Sequence, residues 1–345
     1  MSEGDQNTSG GPDRGPMDQF SAHLDRGWDL VSRGDFEGAQ QSAEKSLELD
    51  AESPEAHNLL GYVHAALGDT DAALEHYREA IALDDSFVEA MLNAAEVLIH
   101  PVHDFQGALD MIDEALDWAE NDEEVADALL LKFDAYMHQG DREQARKVLR
   151  TLPEGEMENP RVEFMIGRAL FEVGEPDAAR PRLERAIKGD PDNGDAHYYL
   201  GLTHEVARSQ EDATVAFLRS RELDLLLPRV PWALPAAHFE RITQRAIDRV
   251  ADSLKPVLDG ALVVLSDVPG VEVVAEGVDP RAAMLLDALS PKGATPRAGR
   301  VFVYQLNVER LTEGMVSLEE DLVALLEAEI RSAFPHLAET DDEDE

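Results

Sequence analysis

From about Phe20 to Leu225, apolar residues recur with helical spacing in two amphipathic segments per unit, and the unit returns every 34 residues. Gly27, Asp35 and Ala39 come back as Gly61, Asp69 and Ala73, and Leu49-Asp50 as Leu83-Asp84. Further on, Phe133, Gly140 and Ala145 are followed by Gly167, Gly174 and Ala179, and then Gly167, Ala179, Leu183 and Ala186 by Gly201, Ala213, Phe217 and Ser220. A looser unit with Ala95, Ala108, Ile112 and Ala115 lies between, one residue longer in its IHPVHDFQG turn. Six helix-turn-helix units are predicted over residues 20–225, each turned at a pair such as Gly34-Asp35, Gly68-Asp69, Gly140-Asp141 or Gly174-Glu175. Gly or Ala at the eighth position and Ala at the twentieth let the paired helices approach closely.

The period stops after Leu225. LLPRVPWALP, with three prolines in ten residues, reads as a stiff linker over 226–236, which neither a helix nor a central strand would tolerate. Residues 237–337 then predict a helix from about Ala237 to Leu258, short strands in ALVVL and VEVVA, and a helix near Arg281 to Leu289. A strand VFVYQL at 301–306 and a helix from about Ser317 to Phe334 follow. Ser317 with Glu320 offers a capping box for that last helix. The fold class is mainly α, a helical solenoid followed by a small α+β domain. Residues 1–19 (Gly/Pro/polar) and the acidic tail 338–345 (AETDDEDE) are expected to be disordered. For that tail a solvated role stands first, with weak calcium association or recruitment of a basic partner second.

Composition narrows the function. Acidic residues outnumber basic ones 72 to 30, a formal charge of -42, so phosphate backbones and anionic membranes are repelled and no nucleic-acid or membrane partner is expected. A salt-adapted or simply well-solvated surface accounts for the same balance. The absence of cysteine excludes thiol catalysis, disulfides and Cys-ligated zinc. No basic start followed by an apolar run is visible and no apolar stretch approaches the roughly 20 residues that span a bilayer, so a cytoplasmic location is expected.

Units such as LGYVHAALGDTDAALEHYREAIALDD resemble the tetratricopeptide repeat. The resemblance implies a superhelix whose inner wall, built mainly from the first helix of each repeat, binds a peptide or helix of a partner. The wall positions it implies include Trp28, Asn58, Tyr62, Glu96, Met137, Phe164, Arg168, Phe171, Tyr198 and Glu205. Aromatics and Arg are the usual anchors of an interface, and inter-repeat core is the alternative role for each. Lysines are missing from these positions, and Arg161 with Arg168 is the one plausible cationic pair, so a receptor for carboxylate tails is not supported. An apolar or basic partner suits the charge better. His57/His64 and His197/His204 lie seven apart at positions where the family packs aromatics, which reads as core imidazoles with metal ligation as the alternative. His100, His103 and Asp104 share a turn that reads as a solvated loop, with a stray metal as the alternative. His204-Glu205 is followed by Arg208 where a zinc protease needs its second His.

VFVYQLNVERL followed by LEEDLVALLEAEIRSAFPHL resembles the small bacterial zincin-like metallopeptidase family, over roughly residues 238–337. The likeness rests on Tyr304, Gln305, Asn307, Glu309, Arg310, Glu329, Ile330 and Phe334. In that register Ala328 and Ser332 occupy the places of the two zinc-ligand histidines, and only Glu329 remains, as a vestigial general base. The domain's other histidines, His238 and His336, lie off the motif, and a site built from His336 and the acidic tail is the remaining alternative for a metal. The expectation is a pseudoenzyme without cofactor or metal, serving as a non-catalytic scaffold or adaptor for a protein or peptide partner. The alternatives are a metal-dependent peptidase with a non-standard site and an acidic holdase-type chaperone.

Overall fold

Most helix starts are set by short polar residues, and the first helix of each pair ends at a residue in the left-handed conformation, both recurring with the repeat. The computed structural model describes residues 16–288 and 297–337. Helical pairs α1 (Pro16–Ser32) with α2 (Phe36–Leu49), α3 (Pro54–Ala66) with α4 (Thr70–Leu83) and α5 (Val88–Val97) with α6 (Phe105–Trp118) come first. The pairs α7 (Asp122–His138) with α8 (Arg142–Leu149), α9 (Pro160–Glu172) with α10 (Pro176–Gly189) and α11 (Gly194–Val206) with α12 (Gln210–Asp224) follow. Of the amino-terminal segment expected to be disordered, residues 1–15 lie outside the described residues, and 16–19 form the first turn of α1.

Gly34, Gly68, Gly140 and Gly174 end the first helices of their pairs at φ between 74° and 82°, where a Cβ would be strained. The next residue in three of these turns, Asp35, Asp69 or Asp141, accepts a hydrogen bond from the backbone N–H three residues on, and Asp104 does the same for α6. The extra residue in the third unit is absorbed as a π-helical turn over Leu98–Val102, after which His103 takes the left-handed conformation (φ 59°). Arg208 holds the equivalent place in the last pair (φ 60°). The small eighth-position residues work as expected. A Cβ on Gly61 would stand 2.5 Å from the Tyr77 ring and one on Gly167 2.8 Å from the Leu183 side chain.

The chain divides into two units, Met1–Gly189 and Asp190–Glu345. In the first, α1, α3, α5, α7 and α9 pack side by side, each against its own partner helix, and the second helix of a pair also touches the first of the next. Small shared cores result, such as Ala39, Ala43, Leu59, Leu60 and Val63. The second unit contains α11 and α12 together with the Pro-rich segment and everything after it. There α13 (Ala236–Arg249), α14 (Lys255–Leu258), β1 (Leu262–Ser266), α15 (Val271–Ala275), β2 (Met284–Ala288), β3 (Ala298–Tyr304), α16 (Gln305–Leu311) and α17 (Leu318–Ala333) follow in order. β3 is the central strand, parallel to β1 and antiparallel to β2. Phe239 and Ala246 of α13 and Leu318, Leu322, Leu326 and Ile330 of α17 are fully buried in its core.

Several expectations for this region are corrected. VEVVA is the helix α15, not a strand, because Val274 is buried against Ala213 and Phe217 of α12 and tertiary packing overrides β propensity. The helix expected near Arg281 to Leu289 is instead strand β2, whose Met284 and Leu286 are buried and alternate with the less buried Leu285 and Asp287. The expected helix over 237–258 breaks after Arg249, and Pro256, which an unbroken helix would not tolerate, lies in the first turn of α14. VFVYQL leaves the sheet at Tyr304, and Gln305 opens α16. The Ser317 capping box does not form: the Ser317 hydroxyl donates to the Gly314 carbonyl and caps no backbone N–H, and Glu320 stands 3.9 Å from Arg249. The acidic tail from 338 onward lies outside the described residues. Among the described residues no helix is long and apolar enough to cross a membrane.

Candidate functional site

In the first unit the inner helices bring Trp28 of α1 edge-on to Tyr62 of α3, with ring centroids 5.6 Å apart. Tyr62 is 39% exposed and lines a cleft of about 270 Å³ with Tyr77, Asn93, Glu96 and His100. A second cleft of about 280 Å³ lies between α5, α7 and α9 and is lined by Glu96, His100, Asp127, Leu131, Asp134, Arg161 and Arg168, among others. Glu96 and His100 belong to both. Burial, followed by the charge of Glu96, pushes the Tyr77 hydroxyl's pKa up, so it remains a neutral donor at the base of the first cleft. Burial also raises the Asp127 carboxyl, against the opposing pull of Arg161.

The wall positions expected from sequence part into three groups. Trp28, Tyr62, Glu96 and Arg168 lie on or beside these clefts, with Arg168 paired to Glu172 at 3.2 Å. Asn58 is buried and engaged: its amide donates to Glu89 at 3.1 Å and accepts from Asn93 at 3.0 Å, so it ties α3 to α5. Phe164 is 8% exposed and belongs to the packing of α9, while Met137 and Phe171 are part-buried. Asp127 was missed from sequence although it stands 34 residues before Arg161, so register alone could have found it.

In the second unit Tyr198 is enclosed by its own unit. Its hydroxyl donates to Asp279 at 2.8 Å, and the Arg281 guanidinium stands 4.4 Å over its ring. Arg281 in turn makes a two-pronged pair with the buried Asp224, at 2.8 and 3.0 Å, and reaches Asp195 at 2.7 Å. Burial, then the Asp279 charge, pushes the Tyr198 hydroxyl's pKa up. Glu205 is exposed near the end of α11.

The histidines separate by environment. His57 and His64 both meet His76: the Nδ1 atoms of His57 and His76 are 3.1 Å apart, and His64 stacks on His76 at 5.3 Å. Burial, then the neighbouring His57 and His64, holds His76 below its ordinary value. His197 faces the Pro191 carbonyl at 3.1 Å. His103 is taken up by the Ile99 carbonyl and Asp104 by its cap, so the cluster considered in that turn is dispersed.

Around α16 the polar residues are hydrogen-bonded into the structure. Gln305 donates to the Leu234 carbonyl and to Glu309, Glu309 accepts from the Leu234 N–H, and Asn307 donates to the Pro280 and Ala282 carbonyls. Arg310 donates to the Asp224 carbonyl at 2.5 Å. Glu329 accepts from the Leu286 N–H at 3.3 Å, and burial raises its carboxyl. Ala328 and Ser332 are exposed.

Comparison with known proteins agrees with the helical architecture. Tetratricopeptide repeat models match residues 24–86, 102–163 and 164–223, more than half of the chain. The structure of Pseudomonas aeruginosa pilF is similar at 20% identity, with 61% of this chain and 94% of that chain covered and a TM-score of 0.50. TTC0263, a tetratricopeptide protein of Thermus thermophilus, gives 19% identity, 53% and 98% coverage and a TM-score of 0.44. Cut9-Hcn1 of the APC/C gives 14%, 60% and 41%, and 0.47. No curated protein sequence matches the chain. The 34-residue period, the helical pairs and the family match agree, and the chain belongs to the tetratricopeptide repeat family.

Proposed function

We propose that the chain is a non-catalytic interaction scaffold that holds a partner segment along the inner helices of its first unit. The observation that carries this reading is Tyr62, backed by Trp28, at a cleft whose one carboxylate is Glu96, an aromatic anchor beside an acid. The partner that fits is apolar with basic flanks, because the chain's charge and Glu96 favour cations while the rings favour apolar contact. Stacked helical pairs supply surface rather than chemistry.

In the same proposal the carboxy-terminal segment is a zincin-like domain that has lost its metal. Support comes from the exposed Ala328 and Ser332 at the ligand places, and from Glu329, whose carboxylate is turned to a backbone N–H. Without a metal to acidify water, a lone carboxylate has no nucleophile to generate.

Full-length protein and a Trp28→Ala/Tyr62→Ala variant, used as baits in native lysate, test the first part. Point variants are preferable to truncation before residue 237, since that cut would sever α11 and α12 from the rest of their unit. A partner retained by the native chain and lost by the variant supports the reading. Peptidase activity abolished by Glu329→Gln would replace it with the enzyme reading.

A further inference from the structure

The π-turn between α5 and α6 does more than take up an extra residue. It projects His100 toward α7, where its Nε2 lies 3.3 Å from Asp134 Oδ2. One helical turn further along α7, His138 presents its ring edge-on to His100, with centroids 5.0 Å apart at 86°. A nitrogen of each imidazole and a carboxylate oxygen all lie within 4.8 Å of one another. Among the described residues this is the one group of three that converges in this way, in a chain with 72 acidic side chains and 11 histidines.

We propose that His100, Asp134 and His138 form a binding site for a divalent transition cation of the zinc class. Two imidazoles and one carboxylate suit a borderline-soft ion, whereas calcium and magnesium take oxygen ligands almost alone. Metal–ligand distances of about 2.0–2.1 Å in a tetrahedron separate neighbouring ligand atoms by about 3.3 Å. His100 and Asp134 already stand at that separation, and the exposed His138 closes by a small side-chain rotation. Asp134 and His138 are four residues apart on one helix, the spacing that aims two ligands from one face. Phe105 lies nearly parallel to the His138 ring, with centroids 6.4 Å apart. An ion pair between His100 and Asp134 would account for their contact alone and leaves the approach of His138 unexplained.

Three protein ligands leave a fourth position for water or for a donor atom of another molecule. His100 and Asp134 both line the larger cleft, so the cation would sit in its wall and tie the π-turn to α7.

The test is calorimetric titration of the full chain with Zn²⁺, and separately Ni²⁺, in excess Mg²⁺ to occupy carboxylate-only positions. Binding of one equivalent is expected. Affinity should fall at least about tenfold in His100→Ala, in His138→Ala and in Asp134→Asn, with circular dichroism unchanged because these side chains are mostly exposed. His57→Ala/His76→Ala, which alters the other imidazole cluster, should bind like the native chain. No binding in excess Mg²⁺, or binding retained by the His100→Ala/His138→Ala variant, would overturn the site. Zinc lost only on Glu329→Gln would overturn it as well, moving the ion to the second unit.

Discussion

Arg208 and His103 show what the repeat costs when glycine is missing from a turn. Both hold the left-handed conformation that Gly34, Gly68, Gly140 and Gly174 adopt without a Cβ. For a residue with a Cβ that conformation is unfavourable by about 1–2 kcal/mol. Arg208→Gly should therefore raise stability by about 1 kcal/mol, read as a higher denaturant midpoint with an unchanged slope. His76 gives a second measurable consequence. Its folded value lies below the ordinary 6.5, through burial first and then His57 and His64, while Glu75 and Glu79 oppose the shift. The unfolded chain thus takes up the proton first. Stability is full above pH 6.5 and is lost as pH falls from there toward the folded value. Denaturation midpoints at about pH 8 and about pH 5.5 should differ less in His76→Phe than in the native chain, and equal differences would clear the cluster of any role. Small-residue positions such as Gly61 and Gly167 were legible in the sequence because the spacing of 34 exposes them. The contact of His57 with His76 was not, since it depends on how two helices of one pair face each other.

At the level of elements, the loop between α8 and α9 is held by a buried ion cluster rather than by an apolar core. Glu163, 1% exposed, accepts from Arg182, from Arg185 and from the Met157 N–H, and Arg182 also donates to the Pro153 and Gly155 carbonyls. Removing the carboxylate leaves two guanidinium groups in a poorly solvated place, which costs about 3–5 kcal/mol. Glu163→Ala should lose about 3 kcal/mol, whereas Arg180→Ala, at a pair with the exposed Asp177, should change stability by under about 1 kcal/mol. The helical pairs could be read from the sequence because periodicity is local. VEVVA and MLLDA could not, since each is five residues long and takes its state from its neighbours: Phe217 for the first, and the β3 register of Leu286 with Val301 for the second. The polar run around α16 was visible as a motif, but its hydrogen bonds to Leu234, Pro280 and Ala282 join points more than 20 residues apart and have no local signature.

For the molecule as a whole, the division of the chain falls inside the repeat array, between α10 and α11. The sixth pair matches the repeat pattern and also packs on carboxy-terminal elements, through Val274 of α15 and Arg310 of α16. Arg281 is central to that union, bridging Asp195, Tyr198 and Asp224. Arg281→Ala would strand a nearly buried carboxylate, so hydrogen exchange should accelerate in α11 and α12 together with β1 to β3. Acceleration confined to the strands would show that the sixth pair holds its structure independently. A bare edge of a helical array is a template on which another copy can continue the stack. On α12 the face carrying Ala213 and Phe217 is already covered by Val274, so end-to-end growth across that face is blocked, and any filament of this chain would have to be seeded elsewhere.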